Sequence, residues 1–219
     1  MMIDLHTHSL FSDGELIPSE LVRRLEILGY SAVAITDHTD SSNLGFIIPR
    51  IIEVANDLNN SQPVKVIPGV ELTHVPPKSI GALVEKAREL GAALVVVHGE
   101  TIVEPVAPGT NRAALEAGAD ILAHPGLITG EDAKLAAEKG ILLEISARGG
   151  HSFANGHVAR LAEDAGAALI LNSDSHSPGD LMSEEFARKV FEGAGPRSVS
   201  FSNLMSNAGK LLEKIGYPL

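Results

Sequence analysis

Hydrophobic and polar positions alternate along the chain in a repeated unit: a short apolar run, a polar turn, then an amphipathic stretch. The apolar runs fall at residues 2–6, 32–36, 65–70, 93–97, 120–123, 141–145 and 168–172. Short continuous runs of this kind suit strands covered on both faces, as in a parallel sheet. The intervening stretches carry helical periodicity and predict helices near 18–28, 44–58, 79–90, 112–117, 131–139 and 156–165, with two more near 181–191 and 204–215. Gly29, Gly91, Gly140 and Gly166 stand just past predicted helix ends, where glycine supplies the left-handed turn. Pro49 predicts an interruption of the second helix. Residues 99–111 show no periodicity and hold two prolines, which reads as a long loop.

Strands alternating with helices predict a parallel sheet of βαβ units, either a closed barrel or an open doubly wound sheet. The polar residues decide between them. The first five runs and the seventh each lead into His, Asp or Glu: His6 and His8, Asp37 and His38, Glu71, His98, His124, then Asp174 and His176. In an open sheet these ends would lie in a row, whereas in a barrel they converge on one face, the face that carries active sites. Convergence favours the barrel. The length of 219 residues fits one domain spanning 1–219. There is no glycine-rich nucleotide-binding fingerprint.

The chemistry follows from position. His6 and His8, two apart in an extended segment, aim at one side. Clusters of His with Asp and Glu are what borderline divalent metals require, and this set, with Asp13 in the first loop, has room for more than one ion. The chain has no cysteine. That excludes disulfides, thiolate zinc sites and a cysteine nucleophile, and is compatible with a cytoplasmic protein. No apolar stretch approaches the ~20 residues of a membrane span. The net charge of -11 argues against a general nucleic-acid binder, which needs a basic face. Bound divalent ions would invert that sign locally and let an acidic chain hold an anion. Arg148 and His151 follow the sixth strand, the one without a ligand at its end, and are placed as substrate contacts, since arginine's fork suits phosphate oxygens. His74 is expected at the surface or the pocket rim, and His157 inside a helix in a structural role. The 99–111 loop borders the expected pocket and is a candidate lid.

Taken in order, His6-Thr7-His8-Ser9, Thr36-Asp37-His38, Pro68-Gly69-Val70-Glu71, His98, Ala123-His124-Pro125 and Ser173-Asp174-Ser175-His176 resemble the spaced motifs of the PHP family, named for polymerase and histidinol phosphatase. The resemblance runs from residue 2 to about residue 180. It implies a distorted (β/α)7 TIM-like barrel, the PHP fold, with a metal cluster at the strand ends. Carried over by position, His6, His8, Glu71 and Asp174 would hold one ion, and Asp13, His38 and His176 a second. Glu71, His98 and His124 would hold a third, with Glu71 bridging. Asp13 stands where some members carry histidine. The resemblance implies a phosphatase using three zinc, manganese or iron ions, which hydrolyses a small phosphomonoester such as histidinol phosphate by metal-bound hydroxide. Asp13, Glu71 and His176 would be catalytic. Asp13, His176 or a coordinated water could protonate the leaving oxygen. Two other readings are compatible with these residues. One is an amidohydrolase-like enzyme, whose superfamily commonly bridges its metals with a modified lysine after a middle strand. The other is a non-catalytic, metal-loaded regulatory barrel. A nuclease acting on nucleic-acid ends is disfavoured by the acidic charge.

Overall fold

A computed structural model describes residues 2–219. The strands are β1 (Met2–Thr7), β2 (Tyr30–Ile35), β3 (His38–Thr39), β4 (Lys65–Leu72), β5 (Leu94–His98), β6 (Ile121–Ala123), β7 (Leu142–Ser146) and β8 (Leu169–Asn172). The helices are α1 (Pro18–Ile27), α2 (Leu44–Ser61), α3 (Pro77–Glu89), α4 (Thr110–Ala117), α5 (Gly130–Lys139), α6 (Asn155–Ala165), α7 (Glu184–Ala194) and α8 (Phe201–Lys214). All seven expected strands are present, with β3 added as a two-residue extension. Every pairing is parallel, in the order β1-β2-β4-β5-β6-β7-β8, with β3 paired to β4. The result is a nearly closed (β/α) barrel.

Two apolar cores follow from the alternation. Residues facing out, such as Val33, Val66, Val70, Val95, Val97, Leu143 and Leu171, pack under the helices. Residues facing in, Ile3, Leu5, Ala32, Ala34, Ile67, Leu94, Val96, Ile121, Leu142 and Ile170, fill the barrel interior. Gly69 also faces in; a Cβ there would lie 2.8 Å from the Thr36 methyl and 3.1 Å from the Leu94 carbonyl oxygen, so strands β2, β4 and β5 approach closely only around glycine. Ala208, Leu211 and Leu212 of α8 join the inner core, and Asn207 donates to the Leu169 carbonyl at 2.9 Å. The last helix thus closes the N-terminal mouth of the barrel.

The helix α2 runs unbroken through Pro49, against the interruption expected there. Pro49 is exposed, in the second turn, and the carbonyl it cannot pair belongs to exposed Gly45. Burial of Ile47, Ile48 and Ile51 on the opposite face holds the helix together, tertiary packing overriding the local penalty.

The barrel closes between its first and last strands. Their main chains meet through His8 N–H to Ser175 O at 2.9 Å and Asp174 N–H to His6 O at 3.0 Å. Lower down, buried side chains complete the seam. Asn172 accepts from Leu5 N–H at 2.9 Å and donates to Glu144 at 2.8 Å. The Asp4 carboxylate accepts from Ser173 N–H at 3.2 Å. Burial pushes the Asp4 carboxyl up to about 6, against these hydrogen bonds.

Segment 197–199 is pinned to α6 ahead of α8. Glu163 accepts from the N–H groups of Arg197 (2.9 Å), Ser198 (2.6 Å) and Val199 (3.1 Å). Burial opposes its charge, but these donors outweigh it and hold the carboxyl at about 2.

Two outcomes are expected. Asn172→Ala leaves the Leu5 N–H and a Glu144 oxygen short of partners, and should lower unfolding free energy in urea by roughly 2–4 kcal/mol. A loss under about 1 kcal/mol would show that the seam does not depend on this amide. Because the folded-state pKa of Glu163 is depressed, its contribution is present above its ordinary value of 4.5 and is lost as pH falls toward about 2. Thermal melts of Glu163→Gln should therefore lie below wild type at pH 7 and converge with it near the acid end.

Candidate metal centre

The strands aim their side chains by parity. On β4, β5, β7 and β8 the inward positions run from apolar to polar toward the C-terminal end: Ile67 to Glu71, Leu94 to His98, Leu142 to Glu144, and Ile170 through Asn172 to Asp174. The first strand breaks this parity. Leu5 belongs to the inner core, so strict alternation would send His6 and His8 outward. Between Asp4 and Thr7 the register with β2 slips: three residues advance on β1 while two advance on β2. This bulge reverses the phase and re-aims both histidines inward. Among the described residues, three non-glycine residues adopt left-handed backbone: His74 (φ 53°), His124 (φ 26°) and Asp174 (φ 53°). All three line one cavity. Such strain persists where surrounding structure over-determines it, commonly at functional sites.

That cavity, about 260 Å³, opens at the C-terminal ends of the strands and is lined by Asp13, His38, Thr73, His74, His98, Glu104, His124, Arg148, His151, Asp174 and His176. At its floor, His6 Nε2 lies 3.4 Å from Glu71 Oε1 and 3.7 Å from Asp174 Oδ1. His8 Nε2 lies 3.3 Å from Asp174 Oδ1 and 3.8 Å from Glu71 Oε2. His124 Nε2 approaches Glu71 Oε1 at 3.7 Å and Asp174 Oδ2 at 3.6 Å. Toward the mouth, Asp13 Oδ1 lies 3.4 Å from His38 Nε2 and 3.2 Å from His176 Nε2. His38 Nδ1 is held by Glu71 and Thr73, which leaves Nε2 facing Asp13.

The donor atoms fall into groups close enough to share an ion: His6, His8 and Glu71; His6, His124 and Asp174; His8, Asp13, His38 and His176; His98, His124 and His151; and His74, His98 and Glu104. The first three gather the residues expected for two of the ions. In the last two, His98 sits with His151, His74 and Glu104 rather than with Glu71. Arg148 lines the cavity, with Nη1 donating to the Asp174 carbonyl at 3.1 Å and meeting His176 Nδ1. His151 bonds Thr101 at 2.7 Å through Nδ1. Asp37 does not join the cluster. It accepts from Ser9 and Ser12 and so orders the loop that carries Asp13. His157 Nε2 donates to the Ile128 carbonyl from α6, away from the cavity.

Burial and neighbouring charges push the groups around the floor in opposite directions. Burial, then the neighbouring His38 and His6, hold His8 well below its ordinary value. Burial and His98 do the same to His124. Burial works against the Glu71 charge, yet His6 and His38 keep its carboxyl well down. Asp174 is pushed up to about 7 by burial. His6 is desolvated, but Glu144, Asp174 and Glu71 around it raise it well above its usual range. Three carboxylates around one ring call for a positive charge at that point.

A metal fits these residues. His6 Nε2, both nitrogens of His8, Glu71 Oε1 and His124 Nδ1 are buried without a hydrogen-bond partner. Orphaned buried polar atoms are costly and rare, and here they are borderline imidazole nitrogens and a carboxylate oxygen around common points.

Two participants lie outside the residues expected from sequence. Glu144 on β7 is fully buried and accepts from His6 Nδ1 at 2.8 Å, the carboxylate–histidine arrangement that fixes the tautomer of a metal ligand. Inward parity on β7 marks it; a search restricted to strand ends passes over it. Glu104 enters from the 99–109 loop and reaches His98, His74 and His151. No periodic signal marks a loop residue of this kind. The loop's path depends on Gly126 (φ 58°), where a Cβ would lie 1.8 Å from the Glu100 carbonyl oxygen.

The sequence profile of the PHP domain matches residues 4–102. An uncharacterized protein of Methanocaldococcus jannaschii is 48% identical over 216 residues, covering 98% of this chain and 99% of its own. The DNA polymerase/3'-5' exonuclease PolX of Bacillus subtilis is 24% identical over 194 residues, covering 80% of this chain and 34% of its own, so this chain spans about a third of that protein. The crystal structure of histidinol phosphate phosphatase from Lactococcus lactis, complexed with zinc, L-histidinol and phosphate, aligns with a TM-score of 0.59 and 18% identity over 89% of this chain and 94% of that one. That likeness concerns the fold.

Glu144→Gln keeps the shape of the side chain but removes the charge behind His6. Zinc affinity measured against a competing chelator should fall roughly 10–100-fold with the circular dichroism spectrum retained. Unchanged affinity would remove Glu144 from the site.

Proposed function

Since the chain belongs to the PHP family, and its cavity is small, wholly polar and floored by unpartnered metal-type donors, we propose that it is a metal-dependent phosphoesterase acting on a small phosphomonoester. The observation that carries this reading is the lining itself: imidazoles and carboxylates, with Arg148 as the only arginine or lysine on the wall. At about 260 Å³ the space is below that of a typical drug-sized site. It suits a compact anion once bound cations offset the carboxylates.

His6, His8, Glu71 and Asp174 would hold one ion, and Asp13, His38 and His176 a second. His98 and His124 would contribute to a third; zinc, manganese and iron all suit these donors. Bound ions would act as Lewis acids and lower the pKa of coordinated water. The chain's own residues do the rest. Arg148 binds phosphoryl oxygens and orients them, its guanidinium steadied by the Asp174 carbonyl. Glu71, between His6, His38 and His124, holds the donor set in register. Asp13 and His176, 3.2 Å apart at the mouth, border the exit of the leaving oxygen, which takes its proton from one of them or from a coordinated water. His151 shapes the far wall beside His124.

Histidinol phosphate is one candidate substrate, as its name attaches to the Lactococcus lactis neighbour. The proposal takes the whole chain, 1–219, as one such domain working in the cytoplasm. No helix among the described residues is long and apolar enough to cross a membrane. The amidohydrolase reading gains nothing from the site, because no lysine is among the residues lining the cavity.

After loading with zinc or manganese, the protein should release phosphate from one or more of histidinol phosphate, a nitrophenyl phosphate, sugar phosphates or nucleotides. Glu71→Gln should lose that turnover by orders of magnitude. Turnover retained in Glu71→Gln, or none from metal-loaded wild type, would overturn the reading.

A further inference from the structure

The mouth of the cavity holds a second constellation, built by the loop after β5. We propose that His74, His98 and Glu104 form a loop-borne cation site, so that metal loading and closure of the 99–109 loop are one event. The proposal rests on reading the cavity as a metal centre and goes beyond it in assigning two residues, His74 and Glu104, that the strand-end rule does not supply.

His98 Nδ1 lies 3.1 Å from the Gly99 carbonyl oxygen. A carbonyl only accepts, so Nδ1 is the ring nitrogen that donates there, and Nε2 is left to face Glu104. Nε2 is 3.0 Å from Glu104 Oε2, an acceptor. The same oxygen lies 3.1 Å from His74 Nε2. The other carboxylate oxygen is 3.4 Å from His151 Nε2, whose Nδ1 is engaged by Thr101. Imidazole nitrogens converging on one carboxylate oxygen call for a cation between them, a metal ion or a proton. Two imidazole nitrogens and a carboxylate oxygen are the donor set of a divalent borderline metal. His98 is buried, which denies the group full hydration. His74 holds a left-handed backbone (φ 53°) while its ring reaches Glu104, a strain that a merely exposed histidine would not need.

The loop is arranged to deliver Glu104. Glu100 accepts from Gly109 N–H at 3.0 Å and Asn111 N–H at 2.9 Å, which ties the loop's base. Val103 packs over Gly150. Between these anchors Glu104 reaches His74, His98 and His151, and Thr101 meets His151. A single nitrogen lone pair serves one ion, so an ion held here by His98 lies on the loop side of the cavity and away from Glu71. His124 and His151 face the same space from the opposite wall.

The test uses the full chain loaded with excess zinc, desalted, and assayed for zinc per chain in wild type, Glu104→Gln and His74→Asn. Both variants should stay folded by circular dichroism and hold one equivalent less than wild type. Cobalt loading should show the same loss as a change in the visible spectrum. Limited proteolysis within 99–109 should be suppressed by zinc in wild type and not in Glu104→Gln. Equal zinc content in wild type and both variants would overturn the proposal while leaving the inner metal centre standing. So would loop protection that does not depend on zinc, since a proton would then be the bridging cation. Wild type that retains no zinc would overturn this inference together with the phosphoesterase reading.

Discussion

One carboxylate oxygen couples the barrel's closure to its chemistry. Glu144 Oε2 accepts from His6 Nδ1 and from Asn172 Nδ2, each at 2.8 Å, inside the barrel and out of contact with water. Asn172 in turn takes the Leu5 N–H, which joins the last strand to the first. The seam therefore cannot loosen without disturbing the ring that stands at the floor of the site. A buried, charge-assisted network of this kind is costly when incomplete and rigid when satisfied. On the seam side the Asn172 amide and Glu144 Oε2 are paired, while Glu144 Oε1 has no partner. On the site side it ends in His6 Nε2, which has no partner.

That contrast extends across the cavity floor. Glu71, Asp174 and Glu144 crowd around His6, and burial makes each of these charges expensive. Protein dipoles and imidazole protons offset part of the cost, as the depressed Glu71 and the raised Asp174 show. A set of bound cations would offset the rest, which is the physical sense in which these donors fit a metal cluster. The apolar lower half of the barrel, with α8 across its mouth, keeps the other side of this polar layer dry.

Much of this was legible in the residues. The apolar runs located all seven main strands, and the polar residue after each run located most of the cavity, because both depend on local periodicity. Arg148 and His151 fall on the cavity wall as position suggested. Other features depend on partners distant in sequence. The β1 bulge shows only against β2, since nothing in Asp4-Leu5-His6-Thr7 distinguishes a bulge from regular alternation. Asp37 follows a strand like the other candidates, yet its neighbours Ser9 and Ser12 take all its bonding capacity. Pro49 reads as a breaker until the buried isoleucines opposite it are seen packed.

The sequence by itself determined the repeated strand–helix order, the inward and outward phase of each later strand, and the class of donor each strand end supplies. Those properties follow from periodicity and side-chain chemistry, which travel with the residue. Only the tertiary structure decided which donors share a point in space, that Glu144 stands behind His6, and that Glu104 reaches His98 from a loop. The reason is geometric. A ligand set is a relation among residues up to 168 positions apart, from His6 to Asp174, and such a relation exists only once the barrel has closed.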